Sequence, residues 1–71
     1  MRRVAATEAV LVTADVLNVR ASPSTAGAIR GQTARGQLHA RLGRDGDWVL
    51  IQFDHRQAWV HGDYTQTLSV P

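Results

Sequence analysis

Seventy-one residues make one domain, and a chain this short buries only about 60% of its unfolded surface, which leaves little room for an enclosed active site. The absence of cysteine removes disulfides and thiolate metal sites. All eight basic side chains are Arg, against six acids, and a net charge of +2 falls far short of the clustered basic stripe of a dedicated nucleic-acid binder.

Residues Met1 to Thr7 carry no periodicity and read as a flexible arm ahead of a domain spanning 8–70. Met1-Arg2-Arg3 and Val4-Ala5-Ala6 start like a signal peptide. Glu8 interrupts before an apolar run of about 7–15 residues is built, so none is expected. No stretch is long and apolar enough for a transmembrane helix.

The run Ala9-Val10-Leu11-Val12-Thr13-Ala14 is apolar, β-branched and short, and reads as a first strand that a turn or bulge at Asp15-Val16 ends. In Leu17-Asn18-Val19-Arg20 apolar and polar residues alternate, the pattern of a half-buried strand. Pro23 stops it, because a fixed φ and a missing donor cannot continue a ladder, and Ala21 to Ala28 becomes a polar, mobile loop with Ile29 anchoring its far end. Gly31 and Gly36 supply the positive φ of tight reversals.

From Gln37 to Leu42 the alternation places Leu38, Ala40 and Leu42 inward and turns His39 to water. Gly43-Arg44-Asp45-Gly46-Asp47, centred on Asp-Gly, reads as a hairpin turn. Trp48-Val49-Leu50-Ile51-Gln52-Phe53 then buries Val49, Ile51 and Phe53 and leaves Trp48 on the opposite face. Asp54-His55-Arg56-Gln57 is a short polar turn, Ala58-Trp59-Val60 a returning strand, and Thr65 to Val70 a closing one.

Asp54-His55, and His61 with Asp63, match none of the local spacings that zinc sites use, so no metal is expected. Ser22, Ser24 and Thr25 lack the strained elbow and positioned base of a nucleophile, and the glycines fit neither a P-loop nor a dinucleotide fingerprint. Neither catalysis nor a cofactor is indicated. Arg20 is a candidate clamp for a ligand carboxylate, or an internal partner of Asp15, Asp45 or Asp63.

Leu17-Asn18-Val19-Arg20, taken with Gly31 and Gly36, Asp47-Trp48, Ala58-Trp59-Val60 and Gly62-Asp63-Tyr64, resembles the bacterial SH3 family found beside cell-wall hydrolases and in envelope and phage proteins. The resemblance runs from about Glu8 to Tyr64. It implies an all-β fold, a small SH3-like barrel of five to seven short antiparallel strands with one 3-10 turn at His61 to Tyr64. The Ala21–Ala28 segment corresponds to the RT-type loop. Relatives commonly carry Leu where Thr33 stands and Gly where Ala58 stands. They also set the first core residue after Gly36 one position later than the alternation does here.

The function implied is a non-catalytic binding module for peptidoglycan, above all its peptide portion, in a cell-envelope or lytic setting. Its ligand-binding candidates are Arg20, Ser22, Trp48, Trp59 and Tyr64, since flat rings beside a loop hold extended peptides or glycans at low entropy cost. The rival expectation is a building block of a phage tail or capsid that contacts other protein subunits. A third, nucleic-acid binding through Arg30, Arg35, Arg41 and Arg44, is disfavoured by the small net charge.

Overall fold

The strands form where the alternation is strongest and break at polar pairs. In the computed structural model, which describes residues 7–70, the order is β1 (Thr7–Val12), β2 (Val16–Arg20), β3 (Ile29–Ala34), β4 (Leu38–Asp45), β5 (Trp48–Phe53), β6 (Arg56–His61), the 3-10 turn η1 (Gly62–Tyr64) and β7 (Thr65–Val70). The arm expected at 1–7 lies outside the described residues except for Thr7, which opens β1. Among the described residues no helix is long and apolar enough to cross a membrane.

The seven strands are all antiparallel neighbours in the order β3-β2-β6-β5-β4-β1-β7, an all-β, SH3-like arrangement whose ladder does not close into a ring. β4 belongs to both halves. Its first residues pair with β1 (Val10 with His39) and its later ones, from Arg41 on, with β5, with a bulge between Arg41 and Gly43. A bulge bends a strand and sharpens its twist, which lets one strand serve two sheets. The core is Val10, Val12, Leu17, Val19, Val49, Ile51, Ala58 and Val60, with Phe53 packed against it. The expected inward faces of β2 and β5 are thus the observed ones. The Ala58 methyl is accommodated in full burial opposite Ile51.

β4 runs in the other register. Leu38 is 59% and Leu42 45% exposed, while His39 and Arg41 turn inward and are half-buried. The cause is pairing: opposite residues of an antiparallel ladder share a face, and His39 stands against buried Val10, Arg41 against buried Ile51. Polar partners make this tolerable. Thr33, only 3% exposed where relatives carry Leu, shares hydrogen bonds with His39 Nε2 at 2.7 Å and Gln37 Oε1 at 2.6 Å. The His39 ring sits 5.9 Å from that of Phe53, and Arg41 pairs with Glu8 at 2.7 Å. The Thr33–His39 contact also joins β3 to β4, two strands with no ladder between them.

Three smaller expectations change. Ile29 is 57% exposed and anchors nothing, because β3 is an edge strand with a register shift at Val19/Arg20 beside it. Gly31 serves close approach instead of positive φ: a Cβ there would stand 3.0 Å from the Phe53 ring. The β4–β5 turn is Gly46-Asp47, one residue later than its expected centre, with Asp45 opposite Trp48.

The β5–β6 hairpin turns on Asp54 and His55, both left-handed at φ 51° and 66°, with Phe53 opposite Arg56. Two positive φ values in a two-residue loop are the type I′ pattern that favours Asn-Gly or Asp-Gly. His55 is the strained member, since a side chain in this region costs about 1–2 kcal/mol. His55→Gly is therefore expected to stabilise the domain by roughly 0.5–1 kcal/mol after the entropy cost of glycine, a rise of about 2–6 °C in thermal melting.

Candidate functional site

The outward face of β2, β6 and β5 carries Val16, Asn18 and Arg20, then Trp59 and His61, then Trp48 and Leu50, because Arg20 stands opposite Trp59, Leu50 opposite Trp59 and Trp48 opposite His61. η1 follows His61 directly and delivers Tyr64 to the same region. Between these elements lies a groove of about 360 Å³, within the size range of ligand sites. Its lining is Ala14, Val16, Leu17, Asn18 and Arg20, Thr25 of the loop, Trp48 of β5, His61 of β6 and Tyr64 of η1.

Three of the five ligand-binding candidates, Arg20, Trp48 and Tyr64, therefore meet at one groove. Trp59 shares the sheet face beside Arg20 but does not line it. Ser22 is also outside the lining, for a reason within the loop. Its carbonyl accepts the Ser24 N–H at 2.8 Å across Pro23, and a Cβ on Gly27 would stand 2.4 Å from its Oγ, so Gly27 and Ser22 pack together.

The loop expected to be mobile is wired from within. Ala21 N–H donates to Ala28 O at 2.8 Å, Gly27 N–H to Ser24 O at 2.9 Å, and Ala26 N–H to Ser24 Oγ at 3.0 Å. Arg20 adds the tie to the sheet, one N–H donating to Gly27 O at 3.0 Å. The internal partners foreseen for it, Asp15, Asp45 and Asp63, are not used. Asp15 pairs with Arg35 at 2.9 Å, and Arg20 forms no ion pair among the described residues. A guanidinium carries five donors, so the rest of Arg20 is left for the groove.

His61 is a groove residue that the sequence reading weighed only as a metal ligand, with Asp63, and set aside. It is half-buried, and its Nδ1 accepts the Asp63 N–H at 3.2 Å, capping η1. Its centroid lies 5.1 Å from the Trp48 ring in an edge-on arrangement and 5.7 Å from that of Tyr64. Its place between a strand-facing Trp and the Gly62-Asp63-Tyr64 turn was the available signal.

A second hollow of about 230 Å³ is lined from β4, β5, η1 and β7, with Arg41 and Arg44 beside Asp47 and Asp63. Its charges offset one another, whereas no Asp or Glu lines the aromatic groove. Among the described residues no group of His, Asp and Glu is arranged to hold a metal ion. Of the four arginines considered for nucleic acid, Arg35 and Arg41 are paired with carboxylates.

Comparison with curated proteins and with solved structures gives no match. A family model described as the bacterial SH3 domain matches residues 15–66, more than two thirds of the chain. That span runs from the turn before β2 into β7 and holds every groove residue except Ala14. With the all-β architecture and the single 3-10 turn where the motif places it, this chain belongs to the bacterial SH3 domain family.

Proposed function

We propose that the domain is a non-catalytic binding module that takes an extended peptide in the groove of Arg20, Trp48 and Tyr64, its ligand class being peptidoglycan through the peptide portion. The carrying observation is the groove itself: three aromatic rings, His61 included, beside one guanidinium and no carboxylate. Rings give contact area at little entropy cost, and an arginine not spent on an internal ion pair suits a carboxylate. The family resemblance supports the ligand class, and the shape and lining of the groove support the location.

Retention on purified cell walls above that of an unrelated small barrel is the expected result. Trp48→Ala is expected to weaken it by about 1 kcal/mol or more, roughly five- to tenfold, with melting almost unchanged. Arg20→Ala should weaken binding similarly and also loosen the loop, since its bond to Gly27 is lost. Equal retention of wild type and Trp48→Ala would move the site elsewhere.

A second reading, a subunit of a phage tail or capsid contacting other protein chains, is supported by a different surface. Leu38 and Leu42 stand exposed on the outer face of β4, where Leu38 lies opposite Leu11 and Ala40 opposite Ala9. An apolar strip of this kind suits a protein contact more than a soluble ligand.

A further inference from the structure

The groove contains one polar group that the binding proposal leaves without a task. His61 is fixed on three sides: Trp48 edge-on at 5.1 Å, Tyr64 tilted at 5.7 Å, and the Asp63 backbone N–H on Nδ1 at 3.2 Å. A neutral imidazole whose Nδ1 accepts must carry its proton on Nε2. That N–H makes no hydrogen bond among the described residues, and the ring forms part of the groove lining. The 3-10 turn thus sets both the orientation of the ring and its tautomer, leaving a donor available to the groove.

Arg20 enters the same groove from β2 with one N–H spent on Gly27 O. The groove therefore offers a guanidinium and an imidazole N–H, while the nearest carboxylate to His61, that of Asp63, lies 3.8 Å away on the Nδ1 side and lines the neighbouring hollow. Two donors carrying a single formal charge match a single carboxylate better than a doubly charged phosphate, and the planar guanidinium favours a carboxylate geometrically.

We propose that His61 and Arg20 act as a carboxylate-reading pair, so that the groove selects an extended peptide by a free carboxylate while Trp48 and Tyr64 cover the adjoining chain. This rests on the groove being the binding site. His61 then sets specificity by donating directly to the ligand, and the Asp63 N–H positions it.

Two probes that differ only at the C-terminus test the pair: acetyl-Ala-Ala-Ala as the free carboxylate and as the carboxamide. Each is titrated into isotopically labelled protein at pH 8.5. The expected result is an Nε2–H tautomer at His61, a ligand-induced shift of that nitrogen with the carboxylate peptide only, and at least tenfold tighter binding of that peptide. Two variants separate the donor from the other duties of the residue. His61→Ser keeps a cap acceptor for the Asp63 N–H and loses the ring, whereas His61→Phe keeps a ring against Trp48 and Tyr64 and loses the cap. Both should show a carboxylate preference at least several-fold smaller than that of wild type, the remainder being carried by Arg20.

An Nδ1–H tautomer, or an undiminished carboxylate preference in both variants, overturns the pair. If Trp48→Ala abolishes binding while the His61 variants keep the preference, the groove stands and the pair alone falls. If Trp48→Ala changes neither titration, or wild type binds neither peptide, the groove reading falls and this inference with it.

Discussion

Replacing Ile51 with Ala is expected to destabilise the domain by about 2–5 kcal/mol, the range for truncating a large buried aliphatic residue. Ile51 is 0% exposed at the centre of β5, with Ala58 opposite on β6 and Arg41 opposite on β4. The residue across from it on β6 is already the smallest side chain of the core, so little can move in to fill the cavity. Among the described residues the core has eight buried apolar members, and a domain of this size has roughly 5 kcal/mol or somewhat more in total. Urea denaturation should therefore show a variant left with about 0–3 kcal/mol of stability, half unfolded without denaturant at the upper end of that loss. A loss under about 1 kcal/mol would contradict the placement of Ile51 at the centre of the core.

His39 is expected to show the second large effect, and one that depends on pH. Its ring packs near Phe53 and bonds Thr33, and burial disfavours the imidazolium, holding its pKa below the ordinary 6.5. The unfolded chain therefore takes up the proton more readily than the folded one. The contribution of His39 is fully present above about pH 6.5 and is lost as pH falls through the ordinary value toward the lower folded one. Denaturation at pH 8 and pH 5 should show wild type weaker at pH 5. His39→Leu should remove this part of the slope, because Thr33 keeps Gln37 as a partner and Leu fills the space beside Phe53. His39→Ala has no such compensation and should cost about 1–3 kcal/mol at pH 8, from lost packing and a weakened buried hydroxyl network. A cost under about 0.5 kcal/mol is what a water-facing His39 would give.

The two predictions draw on strands whose sequences differ in what they reveal. In β2 apolar residues alternate with polar ones, and in β5 the β-branched Val49 and Ile51 share a face with Phe53 against Trp48, Leu50 and Gln52, so burial and pairing demand the same face, and Leu17, Val19, Val49 and Ile51 are buried. In β4 they conflict. Leu38, Ala40 and Leu42 make the better apolar face, yet the strand is held between Val10 and Ile51, and a slip of one residue would break the ladders on both sides. Thr33, six residues before His39 across the β3–β4 turn, and Glu8, 33 residues before Arg41, supply the polar partners that make the inward His39 and Arg41 tolerable.

The same division runs through the groove. Arg20, Trp48 and Tyr64 could be singled out from the sequence because the family resemblance implies a groove of outward rings and an arginine beside the Ala21–Ala28 loop. Ser22 looked equally available until the packing of Gly27 against it became visible, and His61 looked idle until its ring was seen between Trp48 and Tyr64. By itself, then, the sequence determined the all-β class, the succession of strands along the chain, the approximate places of the turns and the inward faces of β2 and β5, because these depend on the pattern of neighbouring residues. The register of β4, the wiring of the loop and the conversion of His61 into a groove residue were decided only by the tertiary structure, because each depends on a contact between residues that lie far apart in the chain or across a turn.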